Sequence, residues 1–210
     1  MLTLFYSPGA ASLVVHWLLI ELDVPCELRL VDFATKQQKS AEYLKINPNG
    51  VVPTLLIDGK PVYEAVGLLM HLADTYPAAG LAPAPATIER AYYYQWLVHL
   101  ANVVQPAFRN WWYPAEPAGE ANLEAAQACA RARIEECWDR IDAHLGGQGP
   151  WLLGEKLSVA DFHLTMLMRW SRNMPKPATE WPNLARLAAR MKARPSFKLL
   201  YEREKLTEWA

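Results

Sequence analysis

A run of prolines and small residues, Pro77-Ala78-Ala79-Gly80-Leu81-Ala82-Pro83-Ala84-Pro85, divides this chain into two halves with different periodicities. Such a run can neither continue a helix nor fill a core, so it reads as a linker. Before it, short apolar runs alternate with helical stretches; after it, from Thr87, the pattern is helical almost to the end. The division predicts an α/β domain over residues 1–77, a linker over 78–86 and an all-helical domain over 87–210. The 210 residues, 52% hydrophobic and 20% charged, suffice for two such cores.

In the first half, Leu2-Thr3-Leu4-Phe5-Tyr6 is a short strand closed by the turn Ser7-Pro8-Gly9. Ser12 stands where a helix should begin, with Leu13 to Leu22 mostly apolar behind it, and Asp23-Val24-Pro25 ends that helix. Glu27 to Val31 alternates like a second strand. Strand, helix and strand within about thirty residues make a βαβ unit, whose strands run parallel. A polar stretch from Thr35 to Ser40 and a short helix from Glu42 to Ile46 lead to turn formers at Asn47 to Gly50. Val51-Val52 then stops at Pro53, and the strand Thr54 to Ile57 follows at once. Proline cannot donate to a sheet ladder, so Pro53 belongs at a strand start, where an X-Pro bond can be cis. A cis bond there would turn Val52 outward and offer its N–H and C=O to an extended peptide; an ordinary turn before a strand accounts for the same residues. Asp58-Gly59 makes a tight hairpin that returns through Pro61-Val62-Tyr63 as an edge strand, and Glu64 to Tyr76 is helical. The order β-α-β-α-β-β-α is that of a thioredoxin-like domain.

In the second half, breaks at Tyr113 to Gly119, Gly146 to Pro150 and Pro175 to Pro182 predict a bundle of about five helices. Leu157-Ser158-Val159-Ala160-Asp161-Phe162 is a capping box with a hydrophobic staple, which starts a buried helix and needs no other explanation.

Composition removes several classes of function. Lys plus Arg (21) nearly balances Asp plus Glu (22) without long runs of either sign, so neither a nucleic acid nor a membrane is an expected partner. The apolar stretch Ala10 to Ile20 lacks a preceding Lys or Arg and is read as a buried helix; no run reaches the roughly 18 residues of a membrane span. Three cysteines, at 26, 129 and 137, offer neither a disulfide framework nor metal-ligand spacing, which points to a reducing cytoplasm and to no metal. His16, His71, His99, His144 and His163 show no ligand spacing either.

Taken together, the Val52-Pro53 loop, the helix opened by Glu64, the linker and Leu157-Ser158-Val159-Ala160-Asp161 resemble the cytosolic glutathione S-transferases over essentially the whole chain. Leu4 to Ser12, Asn47 to Pro53, Leu72-Ala73-Asp74 and Trp181-Pro182-Asn183-Leu184 look closest to the bacterial beta class. The resemblance implies a homodimer with glutathione as co-substrate, lying along Val52 and Pro53, its thiol near the first helix and its γ-glutamyl end near Glu64 and Ala65. Lys36 matches a family lysine that meets the glycyl carboxylate. A small apolar electrophile is the implied second substrate, met by Tyr6 and the aromatic run Phe108, Trp111, Trp112, Tyr113; core packing is the competing reading for the tryptophans. The chain departs from the beta class at Ala11, where a cysteine is usual, and at Val98, Val103, Gln105 and Pro106, where polar residues are. Many transferases carry a serine at Ala65. A thiol reductase is excluded by Ala10-Ala11-Ser12, while a non-catalytic binding or carrier protein stays open.

Lowering a thiol pKa from about 8.5 to about 6.5 requires roughly 2.7 kcal/mol of preference for the thiolate. Ser12 is one candidate donor, combining a hydroxyl with a helix start; the alternatives are that Ser12 only caps the helix, that Tyr6 donates, or that backbone dipoles suffice.

Overall fold

The computed structural model of the chain describes residues 1–209 and resolves into two compact units, Met1–Ala82 together with the chain from Lys192 onward, and Pro83–Met191.

The first unit is built on a four-stranded sheet of β1 (Leu2–Tyr6), β2 (Cys26–Leu30), β3 (Thr54–Ile57) and β4 (Lys60–Tyr63), in the order β2-β1-β3-β4. β1 and β2 are parallel, joined through α1 (Ser12–Glu21), while β3 runs antiparallel to both β1 and β4. The hairpin between β3 and β4 turns on Asp58 and Gly59, with φ of 49° and 80°, a mirror-image turn that suits the twist of the two strands. Strand alternation sorts the side chains of β1. Phe5 joins Val31, Tyr43 and Val52 in a small core beside α2 (Ala41–Leu44), whereas Tyr6 faces His16 of α1 at 5.7 Å. α3 (Ala65–Thr75) packs against α1.

The second unit contains α4 (Ile88–His99), α5 (Gln105–Trp112), α6 (Ala115–Ala118), α7 (Leu123–Gln148), α8 (Val159–Trp170) and α9 (Pro182–Lys192), whose last residue passes into the first unit. Between α4 and α5 the helix does not break but widens into a π turn over Leu100–Val104. Pro106 explains it: the ring carries no N–H for the carbonyl four residues back and crowds that carbonyl, and a wider turn relieves both. α7 overruns the break expected at Gly146 and ends only at Gly149, where a Cβ would lie 2.3 Å from the Leu145 carbonyl oxygen. Asp142 accepts hydrogen bonds from the N–H groups of Asn183 (2.7 Å) and Leu184 (3.0 Å), and Asp139 accepts one from the Trp181 indole (2.7 Å). Trp181-Pro182-Asn183-Leu184 is therefore a helix start clamped onto α7.

One boundary differs from expectation. The last helix, α10 (Pro195–Glu204), belongs not with the all-helical unit but with the first, where it packs on α1. Ser196 accepts from the Trp17 indole at 2.9 Å, Arg194 pairs with Glu21, and the buried Glu204 carboxylate bonds His16 Nδ1 at 2.8 Å. Among the described residues, no helix is long and apolar enough to cross a membrane.

Candidate functional site

Strand register gathers the predicted ligand-binding residues of the first unit at one end of its sheet. Leu30 stands opposite Tyr6, Phe5 opposite Thr54, and Thr54 opposite Tyr63. The segments that leave this row carry Lys36 beyond β2, Ser12 beyond β1, Val52-Pro53 before β3 and Glu64-Ala65 after β4.

The Val52-Pro53 peptide is cis. The Val52 side chain does not turn outward, as the residues suggested; it is 5% exposed, packed on Phe5 and Tyr43. What stays open is its main chain, since no hydrogen bond among the described residues occupies the Val52 N–H or C=O. A buried polar cluster holds this segment from behind. Tyr43 donates its hydroxyl to the Val51 carbonyl (2.8 Å), the Asn47 amide donates to the same carbonyl (2.9 Å) and to the Thr54 hydroxyl (3.0 Å), and Tyr43 and Thr54 share a hydrogen bond of 3.0 Å. Gly50, at φ +60°, lies so close to the Gln38 carbonyl that a Cβ would sit 2.8 Å from it. Asn47 and Gly50 read in the sequence only as turn formers, and the anchoring role of Tyr43 carried no sequence signal.

At the next edge, Glu64 adopts φ 76°, ψ 104°, a backbone conformation that costs a residue with a side chain about 1–3 kcal/mol. Its exposed carboxylate has no partner among the described residues, and it does not cap α3. The first N–H groups of α3 are thus left without a side-chain cap, and Ala65 is buried. Lys36 is exposed, in the left-handed region at φ 56°.

At the start of α1 the geometry overturns the sequence reading of Ser12. The N-cap residue is Ala11, no side chain caps the helix, and Ser12 is 0% exposed. Its hydroxyl accepts from the Ser7 N–H (3.1 Å) and donates to the Ser7 carbonyl (3.2 Å), closing the Ser7-Pro8-Gly9 turn on itself. Both hydrogen-bonding directions are used, so Ser12 presents no free hydroxyl to a ligand. Tyr6 is half-buried, and burial, reinforced by the charge of Glu204, pushes its phenol above the usual range, leaving it a proton donor at neutral pH. Glu204 also accepts from the Gly9 N–H at 2.9 Å, so α10 steadies the turn that leads into α1.

The remaining predicted residues lie in the second unit. Phe108 is not available to a ligand: it is 0% exposed, with its ring 6.0 Å from those of both Trp138 and Trp170. Trp111 is partly buried, while Trp112 and Tyr113 are 45% and 53% exposed. Tyr113 stacks on Arg109 at 5.0 Å, and Arg109 is gripped by Glu116 through two hydrogen bonds of 2.8 and 2.6 Å. Val98 is exposed, and Gln105 accepts from His163 Nε2 at 2.9 Å. Burial alone drives the His163 ring down to about 3, so it is neutral at any ordinary pH and acts as that donor. No group of three or more His, Cys, Asp or Glu among the described residues is arranged to hold a metal ion.

Two family profiles match this chain: the glutathione S-transferase N-terminal domain over residues 1–74 and the C-terminal domain over residues 102–203. A glutathione S-transferase of Xanthomonas campestris pv. campestris is 33% identical over 169 residues, covering 80% of this chain and 81% of that protein. Among solved structures, a glutathione transferase homologue from Sulfitobacter with bound glutathione superposes with a TM-score of 0.89 at 29% identity, covering 98% of this chain and 99% of the other. The beta-class glutathione S-transferase of Sphingomonas chungbukensis superposes with a TM-score of 0.85 at 29% identity, over 98% and 100% of the two chains.

Proposed function

Since this chain belongs to the glutathione S-transferase family, we propose that it binds glutathione at the open end of the sheet and transfers the thiolate to an electrophilic, apolar second substrate. The observation that carries this reading is the set of unused main-chain groups there: the Val52 N–H and C=O, and the uncapped starts of α1 and α3. Glutathione pairs with Val52 as a short added strand. Its γ-glutamyl carboxylate takes the first N–H groups of α3, its ammonium takes the Glu64 carboxylate, and Lys36 meets the glycyl carboxylate.

The thiol lies at the start of α1. With Ser12 engaged by Ser7, the roughly 2.7 kcal/mol needed to bring a thiol from about 8.5 to about 6.5 falls to other groups. A hydrogen bond to a charged acceptor contributes about 1.5–3 kcal/mol and a helix start about 0.3–1, so one N–H of the uncapped turn plus the α1 dipole meets the requirement. The Tyr6 hydroxyl is the side-chain donor that supplements them. The proton leaves to solvent, and the thiolate attacks the electrophilic carbon. With an aryl halide the C–S bond forms as the C–halogen bond breaks, and halide departs with the electron pair. Trp111, Trp112 and Tyr113 offer apolar surface to the second substrate.

A second reading, a binding or carrier protein without turnover, draws support from Gln105. Its amide oxygen is committed to His163, and Val98 and Val103 carry no polar group that could reach a peptide ligand. Retention on immobilised glutathione followed by an aryl halide assay separates the two. Retention with turnover is expected; retention without turnover supports the carrier, and no retention contradicts both. Exposed Ile88, Tyr92 and Val98 on α4 support a homodimer, which sedimentation showing only the 23.8 kDa species would exclude.

A further inference from the structure

In the second unit, the end of α7 and part of α9 border a concavity of about 350 Å³. None of the residues assigned above to glutathione or to the second substrate lines it. Arg186 and Arg190 stand in its wall, one turn apart on α9 and both exposed. Arg186 donates to the Asn183 amide oxygen, and the Asn183 amide nitrogen donates in turn to Asp142 at 2.9 Å. The Arg190 guanidinium lies 3.5 Å from the Pro150 carbonyl oxygen and 6.0 Å from the Trp151 ring. All these contacts are with neutral groups, and neither arginine pairs with a carboxylate among the described residues. Elsewhere in the same unit Arg109, Arg131, Arg133 and Arg140 each grip a glutamate. Like charges one turn apart on a helix repel, and the nearby Asp142 carboxylate is already taken by N–H groups of Asn183 and Leu184. The end of α7 supplies the other wall. Gly146 is exposed there, and four residues on, where an N–H would close the next helical bond, stands Pro150, so the Gly146 carbonyl has no helical donor. Gly146 and Gly149 carry no side chain and Leu145 is 7% exposed, so this wall offers little apolar surface.

We infer that this concavity binds a small phosphate monoester with a hydroxylated body, its phosphate bridging Arg186 and Arg190. Two guanidinia without a counter-charge select a dianion. A phosphate monoester, with a second pKa of about 6, carries nearly two negative charges at neutral pH and three acceptor oxygens, enough for donors from both arginines at once. A single carboxylate would neutralise only one of the pair. The Gly146 carbonyl accepts and the wall around it is poor in apolar side chains, so hydroxyl groups suit the body of the ligand better than an aryl or alkyl group. The volume lies at the small end of ligand pockets and matches a body the size of a hexose. Asp142 is a positioning residue: through Asn183 it fixes the Arg186 guanidinium at the edge of the space.

Calorimetric titration of the full chain with glucose 6-phosphate, at about 0.1 M salt, tests this with the chain alone and saturated with S-hexylglutathione. The expected result is saturable one-site binding with a Kd between about 10 μM and 1 mM, the same in both states. Glucose, which lacks the phosphate, should give no heat, and inorganic phosphate should bind about tenfold more weakly because it brings no hydroxylated body. Arg186→Gln and Arg190→Gln should each weaken binding about tenfold or more. Arg133→Gln removes the same charge from a glutamate-paired arginine of the same unit and should change the affinity less than about twofold. All three arginines are exposed, so none of these changes threatens the fold, which a melting curve checks. The assignment is overturned by an absence of heat, by displacement with S-hexylglutathione, by inorganic phosphate binding as tightly as the ester, or by an equal loss in Arg133→Gln. It does not depend on the transferase reading, since titration of the chain alone decides it even if S-hexylglutathione fails to bind.

Discussion

Helices α1 and α8 both begin near a serine, and the two starts are built in opposite ways. At α8, Ser158 and Asp161 form a capping box, and the Asp161 carboxylate accepts from the Leu152 N–H (2.9 Å), the Ser158 N–H (2.9 Å) and the Ser158 hydroxyl (3.2 Å). The hydroxyls of Ser40 and Thr87 likewise accept from the first turns of α2 and α4. At α1 the serine is turned away to Ser7, and at α3 the residue in the capping position is a strained glutamate that caps nothing. The capped starts of α2, α4 and α8 hold the fold together; α5, α6, α7 and α10 also lack a side-chain cap, but the uncapped starts of α1 and α3 stand at the open end of the sheet, where an anion can do what a cap does elsewhere.

The largest effect expected from breaking this contrast is at the capped start. Asp161→Ala strands three buried donors and should cost about 3–5 kcal/mol in denaturant unfolding, with the specific activity of the folded fraction unchanged. A loss under about 1 kcal/mol contradicts the assigned role. Ser158→Ala removes less, about 0.5–2 kcal/mol. At the uncapped start the order reverses. Glu64→Gly relieves a positive φ and should stabilise the chain by about 1 kcal/mol while weakening glutathione binding by about tenfold or more, measured by calorimetry. Equal losses of stability and affinity would place Glu64 among the structural caps. Ser12→Ala should cost about 1–2 kcal/mol of stability and leave the pKa of the bound thiol unmoved, while Tyr6→Phe raises it modestly; thiolate absorbance decides.

The same second unit carries a pH dependence whose two parts nearly cancel in the wild type. His163 titrates near 3 instead of 6.5, so the fold refuses a proton that the unfolded chain accepts, and stability falls as the pH drops below 6.5. Asp161 runs the other way: burial raises its pKa from 3.8 to about 6, so its protonation adds stability as the pH falls through that window. Between pH 4 and 6 the two oppose each other. Asp161→Asn removes only the second, and its unfolding free energy from urea titrations should fall with acid more steeply than wild type's, by about 1.4 kcal/mol per pH unit. Parallel profiles would show that Asp161 does not titrate there.

Local chemistry explains which features were legible in the sequence. The strands Leu2–Tyr6 and Thr54–Ile57 are bounded by turn residues and match the reading residue for residue. The capping box was legible because both its members lie three residues apart. Ser12 misled because a hydroxyl beside a helix start has two local partners, the helix N–H groups and the preceding turn, and spacing does not say which wins. Pro106 was visible, but whether a proline ends a helix or widens it depends on the neighbours that hold the next turn in place. The return of α10 rests on Glu204 meeting His16, 188 residues away, and on Trp17 meeting Ser196, contacts that no periodicity announces. For the same reason Phe108 read as a cleft residue: an aromatic on a helix shows which residues share its face but not what covers that face.

Backbone amide shifts on titration with glutathione test the central claim most directly, that open main-chain groups at one end of the sheet bind the tripeptide. The account predicts saturable shifts at Val52, at Ala65 and Val66 in the first turn of α3, and at Ala11 and Ser12 where α1 begins, with Ser158 to Asp161 unmoved. Saturating glutathione that leaves the Val52 and Ala65 amides in place, or moves those of the capped α8 start instead, would contradict it.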